Sequence, residues 1–256
     1  GTEGMTGLYV RGGGADENLY LLDGNPVYHV NHLLGFFSAF NPDAIKNTRF
    51  YKGSFPAEYG GRLSSVVDVR MNDGNRQEYH GNISVGLLSA RANLEGPIVK
   101  DRSSFNVSVR RTWLDLITGT ALAIINKNSD TKESFGYHFF DINAKVNHSF
   151  SERSRAYLSF YMGQDAFRQG SKEKHEDSDD MFLWRWGNLI GSAGWNYVFG
   201  QKLFGNLMVG YSRFRSHIRQ EAKGYEIEGN RAERQSIKRD SRYKSEMEDL
   251  SVRLSV

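Results

Sequence analysis

The sequence predicts a mostly β protein, with a small α+β unit at residues 1–75 followed by antiparallel strands of a transmembrane β-barrel over residues 76–256. This prediction depends on the composition, on the alternation of apolar and polar residues, and on the lengths of the connections. Hydrophobic residues make up 39% of the chain and the mean hydropathy is −0.57, yet aromatic residues reach 13%. A polar average with many aromatic residues is typical of strands that are apolar on one face only.

Several classes of protein are excluded by what the sequence lacks. No apolar run reaches the roughly 18 residues that a membrane helix needs, because the longest, residues 114–125, is short and contains Gly119. There are no cysteines, so the chain has neither a disulfide scaffold nor a thiolate metal site. With 33 basic and 30 acidic residues the net charge is +3, which gives no indication of nucleic-acid binding.

The α+β unit is predicted from short apolar segments that are separated by Gly, Asn, Asp and Pro. Residues 23–26 (DGNP) predict a tight turn, because Gly accepts a positive φ and Pro fixes the next bend. Asn41 followed by Pro42 predicts the start of a short helix, with Asn41 as the N-cap. Residues 65–70 predict a strand, so the unit has a compact α+β core.

Long alternating segments begin near residue 79 and predict strands with one apolar face. In residues 104–110 the odd positions are apolar and the even positions are polar. The same alternation recurs in six further segments, at 137–150, 156–162, 189–199, 203–211 and 250–256 and in part at 79–95. Most segments are roughly 8–14 residues long, which is enough for a tilted strand to cross a bilayer.

The connections between these segments alternate in length. Short connections are predicted at residues 96–102, 151–153 and 200–201, and long polar ones at 114–135, 165–185 and 216–243. Short turns on one side and long loops on the other are typical of outer-membrane barrels, whereas a soluble sandwich shows no such regularity. Aromatic residues near the strand ends, such as Trp113 and Phe150, fit a membrane interface.

Four motifs in the first 69 residues resemble the plug of TonB-dependent outer-membrane transporters. In order, they lie at residues 10–12 (VRG), 22–27 (LDGNPV), 41–45 (NPDAI) and 51–69 (YKGSFPAEYGGRLSSVVDV). These motifs resemble the sequences of Bacteroidota-type receptors more than those of the siderophore receptors of enteric bacteria. Residues 95–98 also resemble the family's first periplasmic turn, so residues 79–95 are expected to form a hairpin that breaks near residues 89–91.

The resemblance implies what the protein does and where. It implies import of a nutrient across the Gram-negative outer membrane, driven by the TonB–ExbB–ExbD system, with outer-membrane lipid around the barrel and no cofactor. Whether a surface lipoprotein is a further partner stays open, and so does the nutrient. The family's barrel has 22 strands; we expect about eight here, in an internal piece of a longer protein that lacks the segment bound by TonB. The alternative is a soluble all-β module for glycan binding or adhesion.

The resemblance also implies roles for individual residues. Arg11 is expected to pair with carboxylates of the barrel wall, and Arg62 to play a similar part; the alternative is a surface arginine. Residues 28–37 match the apical loop that faces the extracellular side, and their predicted ligand-binding residues are Tyr28, His29, His32, Phe36 and Phe37. The alternative for these residues is packing of the plug against the wall. Two histidines three residues apart make a poor metal site, and no motif points to catalysis.

Overall fold

The computed structural model describes residues 18–32, 37–52, 65–174, 178–227 and 234–256. The first part of the described chain contains six strands: β1 (Asn18–Leu22), β2 (Asn25–Pro26), β3 (Asn31–His32), β4 (Phe37–Ser38), β5 (Ile45–Lys52) and β6 (Ser65–Met71). The second part contains β7 (His80–Val85), β8 (Ser89–Val99), β9 (Ser103–Thr112), β10 (Thr131–Ser151), β11 (Ser154–Glu173), β12 (Ser178–Val198), β13 (Phe204–Ile227) and β14 (Arg234–Ser255). A helix, α1 (Leu114–Ile125), follows β9, and short 3-10 helices lie at Pro42–Ala44 and Asn126–Asn128.

The first part is the α+β unit, whose main sheet has the strand order β2-β1-β6-β5. Strands β1 and β6 are parallel, and the two outer pairings are antiparallel. The predicted turn after β1 is confirmed, because Asp23 and Gly24 have φ values of 45° and 85°. The predicted cap is also confirmed, since Asn41 Oδ1 accepts a hydrogen bond from the backbone N–H of Asp43 at 3.2 Å.

The second part is one antiparallel sheet, which we call the wall, in which each of the strands β7 to β14 pairs with the next. Its inner face contacts the α+β unit and its outer face points away from it. On β9, Ser104, Asn106, Ser108 and Arg110 are buried on the inner face, whereas Val107 and Val109 are 39% and 41% exposed on the outer face. The alternation predicted for β9 is therefore confirmed. A soluble sheet would bury its apolar face, so this inverted arrangement fits a membrane barrel.

Two of the predicted long loops are instead strands. Most of residues 165–185 and 216–243 continue the hairpins β11–β12 and β13–β14. Backbone hydrogen bonds can extend a hairpin without any apolar face, and cross-strand charge pairs such as Arg215 with its register partner Glu246 support it. The third predicted loop, 114–135, contains α1, and Asn126 ties its end to Glu133 through bonds of 2.6 and 3.0 Å.

The hairpin predicted within residues 79–95 is confirmed by the antiparallel pairing of β7 with β8. Its turn lies at residues 86–88, slightly earlier than predicted, where Gly86 N–H donates to Ser89 O at 2.8 Å. Thr112 Oγ1 and Trp113 Nε1 from the end of β9 donate to the carbonyl oxygens of Leu88 and Leu87 and fix this position. Among the described residues, no helix has the length and apolar character needed to cross a membrane.

Candidate functional site

The α+β unit packs on the inner face of the wall through a small apolar core. Buried side chains of β1 and β6, including Leu22, Val67 and Val69, meet Tyr161 and Ile190 from the wall. Most of the remaining inner-face residues that are buried are polar or charged. Buried polar groups need partners, so the contacts of these residues define the site.

The first group of contacts, which we call the histidine cluster, surrounds His32. This residue is 3% exposed, and its Nδ1 lies 2.6 Å from Asp165 Oδ2, while its Nε2 lies 3.5 Å from Asp141 Oδ2. Its ring stacks on Phe139 with the ring centroids 4.2 Å apart. Burial lowers the pKa of His32, but the two carboxylates outweigh burial and raise that pKa above its ordinary value.

Wall residues complete the histidine cluster. Arg110 donates to Asp141 Oδ2 from both Nε at 2.7 Å and Nη2 at 2.6 Å, and Nη2 also donates to Ser38 O at 2.8 Å. The hydroxyl of Tyr137 donates to Asp165. The wall therefore holds two buried carboxylates that Arg110 and His32 contact, and each of these two side chains also contacts the other unit.

The second group, which we call the lysine cluster, reverses this arrangement. Lys145 Nζ from the wall lies 3.2 Å from Asp23 Oδ2 and 3.1 Å from Asp73 Oδ1, and it donates to Met71 O at 3.2 Å. Asp73 also lies 2.9 Å from Arg155 Nη2 and 2.7 Å from Lys46 Nζ. Burial raises the pKa of Asp73, but these three cations outweigh burial and hold that pKa well below its ordinary range.

Uncharged contacts connect the same two surfaces. Asn41 Nδ2 donates to Ser108 Oγ at 2.7 Å, between the two clusters. The side chain of Asn25 donates to Ser192 and accepts from Ser251 Oγ at 3.0 Å. A Cβ atom at Gly210 would overlap the Asn25 side chain, so this wall position requires glycine. The contact between the unit and the wall therefore consists largely of hydrogen bonds and ion pairs.

The described part of the chain includes only some of the predicted site residues. Arg11, Arg62 and Phe36 lie outside it, and of Phe37 only the backbone is described, paired with His32 in the β3–β4 ladder. Tyr28 is half-buried, and its N–H donates to Asn188 Oδ1 at 3.3 Å. The predicted ligand contacts and the predicted wall contacts of Arg11 and Arg62 stay predictions.

The two predicted histidines lie in different surroundings. The ring of His29 meets Trp186 edge-on at 5.8 Å and stacks on Phe214 at 6.1 Å. Burial lowers the pKa of His29, and its Nε2 has no hydrogen-bond partner among the described residues. His32 is instead enclosed between Asp141 and Asp165, and its predicted contact with a ligand stays a prediction.

Most of the charged contacts are not predicted by the sequence. Alternation alone places Arg110, Asp141 and Lys145 on the polar face of their strands, which is a usable signal. Their partners could not be found in this way, because His32 and Asp165 are 133 residues apart in sequence. Asp23 was assigned only to a turn, although it also accepts from Met71 N–H at 3.1 Å and pairs with Lys145.

Residues 1–67 match the family described as TonB-dependent Receptor Plug Domain. Over these residues the chain is similar to the plug domain of TonB-dependent receptors. TonB-dependent receptors are outer-membrane proteins of Gram-negative bacteria. We call the α+β unit, which includes the described part of the matched residues, the plug. The plug boundary at residue 75 and the likeness to Bacteroidota-type receptors stay predictions.

Solved structures of related architecture include the siderophore receptors PirA from Acinetobacter baumannii and from Pseudomonas aeruginosa. The A. baumannii receptor is 15% identical, with a TM-score of 0.41, and the match covers 94% of this chain and 46% of the receptor. The P. aeruginosa receptor is also 15% identical, with a TM-score of 0.38, and the match covers 95% of this chain and 53% of the receptor. The outer-membrane transporter YddB from Escherichia coli is 10% identical, with a TM-score of 0.42, and the match covers 95% of this chain and 47% of YddB. The chain thus spans about half the length of these structures. No curated protein matches it.

Proposed function

We propose that the protein imports a nutrient across the outer membrane through a barrel that its plug closes, with energy from the TonB–ExbB–ExbD system. The observation that carries this proposal is the polar contact between plug and wall, with an ion-pair cluster at two levels. The soluble alternative is not favoured, because the wall exposes its apolar face and buries its polar one. The family comprises receptors and transporters, and we propose no enzymatic activity.

Gating requires a plug that closes the barrel and can still be displaced. Separating apolar surfaces in water costs about 25 cal/mol per Å², and nothing compensates that loss. Ion pairs and hydrogen bonds behave differently, because water replaces the lost partners and the desolvation of the buried charges is recovered. The histidine and lysine clusters therefore suit a plug that is held in one position and released by an applied force.

Ligand recognition would take place on the same side of the plug as residues 28–37. We propose that Tyr28, His29, His32, Phe36 and Phe37 contribute to it, directly or by shaping the loop. The unpartnered Nε2 of His29 beside Trp186 supports this, because an aromatic surface with a free polar atom can both stack and hydrogen-bond. A surface lipoprotein partner, and contacts of Arg11 and Arg62 with wall carboxylates, belong to the same proposal.

A reversible covalent lock between plug and wall tests the proposal. The chain has no cysteine, so Asn25→Cys combined with Gly210→Cys introduces a single pair of thiols. A Cβ atom at Gly210 would touch Asn25 Cγ, one bond from Asn25 Cβ, which suits the roughly 3.5–4.5 Å between the Cβ atoms of a disulfide. The matched control is Asn196→Cys with Asn206→Cys, two register partners that both lie in the wall.

The variants are placed in cells that depend on the full-length protein, and growth is measured on a panel of scarce nutrients: iron chelates, cobalamin, glycans and peptides. We expect at least one nutrient to require both the protein and TonB. The oxidised plug–wall lock should block its use, a reductant should restore it, and the control pair should have no effect. Unchanged growth with the oxidised lock, or a protein that is monodisperse without detergent, would overturn the proposal.

A further inference from the structure

A groove on the outer face of the wall has a composition that differs from its surroundings. Exposed apolar residues such as Leu158, Val209 and Val252 form a band across this face. The groove lies between β11, β12 and β13, on the side of the band where these strands form the long hairpins. Its lining includes Met162, Leu189, Arg185, Arg213, Arg215 and His217, and its volume is about 320 Å³.

The strand register gives the groove two chemically different ends. Leu189 is the partner of Arg213, Gly187 of Arg215, and Arg185 of His217, in that order away from the band. Two residues along a strand advance about 7 Å, so the basic side chains extend over roughly 13 Å of strand from the level of Leu189 to that of Arg185. Gly187 lies between them, where a Cβ atom would overlap the backbone oxygen of Gly163 on β11. The groove is therefore apolar where it meets the band and basic where the hairpins begin.

The basic residues of the groove have donors that nearby carboxylates do not satisfy. Glu246 pairs with Arg215, and Glu248 accepts the hydroxyl of Tyr211 at 3.0 Å. Arg213 contacts that hydroxyl and lies near Glu246, yet its Nε is enclosed without a hydrogen-bond partner among the described residues. No described carboxylate forms an ion pair within 4 Å of Arg185 or Arg213. Two guanidinium groups at one site thus have free donors.

We propose that this groove binds the phosphorylated headgroup of an outer-leaflet lipid, with an acyl chain lying along Met162 and Leu189 toward the apolar band. A guanidinium fork matches two phosphate oxygens, and two forks can hold one phosphate monoester. The position supports a lipid source, because headgroups meet a barrel directly beyond its apolar band. This inference rests on the proposed function only in requiring that the wall lies in a membrane.

The test uses the full-length protein in a non-ionic detergent, with bound lipid counted by native mass spectrometry. The probes are dioleoylphosphatidic acid, dioleoylglycerol, which has the same chains without phosphate, and inorganic phosphate. The variant is Arg185→Gln with Arg213→Gln. The matched control is Arg102→Gln with Arg153→Gln, two exposed arginines in the short turns at the opposite end of the strands.

We expect the wild type to bind phosphatidic acid, and the groove variant to bind it about tenfold or more weakly, since each lost charge-assisted contact is strong. The affinity of the control variant for phosphatidic acid should stay within about twofold of the wild-type affinity. The affinity of the wild type for dioleoylglycerol should be no higher than the affinity of the groove variant for phosphatidic acid. Equal binding of the two lipids, or no loss in the groove variant, would overturn the inference. So would displacement of the lipid by an equal concentration of inorganic phosphate, which would indicate a site for the free anion.

Heat-modifiable gel mobility, measured on every variant, separates this inference from the proposed function. A groove variant that keeps this mobility is folded, so its loss of lipid then reports on the groove. If the wild type needs no detergent and shows no heat-modifiable mobility, the membrane location fails and the inference fails with it. If the mobility is present but phosphate makes no difference to lipid binding, only the inference fails.

Discussion

The histidine cluster and the lysine cluster hold the same plug to the same wall with opposite arrangements of charge. In the histidine cluster the plug supplies the cation, His32, and the wall supplies the carboxylates Asp141 and Asp165. In the lysine cluster the plug supplies the carboxylates Asp23 and Asp73, and the wall supplies Lys145.

Asp141 and Lys145 are four residues apart on β10, so the two clusters lie about 13 Å apart along the wall. The plug therefore contributes a histidine to one cluster and carboxylates to the other, and is not held by one kind of charge. A change of pH that neutralises the cation of one cluster leaves the other cluster intact.

The largest effect is expected from Asp141→Leu in the histidine cluster. This change leaves Arg110 and His32 buried without a shared carboxylate, and breaking a buried ion pair from one side costs about 3–5 kcal/mol. Plug opening can be followed by maleimide labelling of an Ala39→Cys reporter, because Ala39 is buried in the plug and the chain has no other cysteine. The labelling rate, divided by that of the unfolded protein, gives the free energy of opening.

The control for Asp141→Leu is Asp115→Leu. Asp115 pairs with Arg111, which is half exposed on the surface of the wall, and such pairs contribute less than about 1 kcal/mol. A change below about 1 kcal/mol for Asp141→Leu as well would show that the histidine cluster does not hold the plug.

A smaller loss is expected from Lys145→Met in the lysine cluster. Among the described residues, the Asp23 carboxylate then keeps the hydrogen bond from the N–H of Met71, whereas Asp73 keeps Lys46 and Arg155. The cluster is therefore only partly broken. We expect the free energy of opening to fall by about 2–3 kcal/mol, as for hydrogen bonds to charged groups. Lys46→Met is the matched control with a change below about 1 kcal/mol, because Lys46 is largely exposed. An equal effect of both changes would contradict a special role for Lys145.

The two clusters should differ in how the free energy of plug opening depends on pH. The effect of pH should be smaller than that of the substitutions, because the hydrogen bonds of each cluster remain when one group titrates. The raised pKa of His32 means that its contribution is complete below about pH 6.5 and is lost as the pH rises through the raised value. The lowered pKa of Asp73 means that its contribution is present above about pH 3.9 and is lost as the pH falls toward the lowered value. The plug should therefore be held best between about pH 4 and pH 6.5.

The Ala39→Cys reporter can measure this profile if each rate is divided by the rate of unfolded protein at the same pH. His32→Gln should remove the loss of stability at alkaline pH and keep the loss at acid pH. If His32→Gln left the alkaline side of the profile unchanged, the assignment of that side to the histidine cluster would be wrong.

The wall was predictable because its signal is local. On β9 the apolar set that includes Val107 and Val109 and the polar set that includes Ser108 and Arg110 alternate along the strand, and a strand with one apolar face shows this period of two. The alternation disappears toward the distal ends of the hairpins β11–β12 and β13–β14, where strands such as β13 continue without an apolar face. Backbone pairing there produces no pattern in the hydropathy, so the sequence predicts loops where the structure has strands.

The plug–wall contacts were less predictable because they join distant parts of the sequence. Lys145 and Asp23 are 122 residues apart, and no periodicity relates them. Alternation does identify Lys145 and Asp141 as polar positions facing away from the apolar side, but it does not show that the plug buries them. The contacts of His32 with Asp141 and Asp165 could not be predicted for the same reason.

The smallest effect is expected from Ser108→Ala, at the uncharged contact between the clusters. Asn41 keeps its cap on the N–H of Asp43 but loses the acceptor of its Nδ2, and one neutral hydrogen bond contributes about 1 kcal/mol. Because neither partner titrates, the loss should be the same at pH 5 and pH 8, unlike that of His32→Gln. Ser159→Ala, a buried inner-face serine that forms no described hydrogen bond to the plug, should change opening less. A pH-dependent loss for Ser108→Ala would mean that the two clusters are coupled through this contact and do not hold the plug independently.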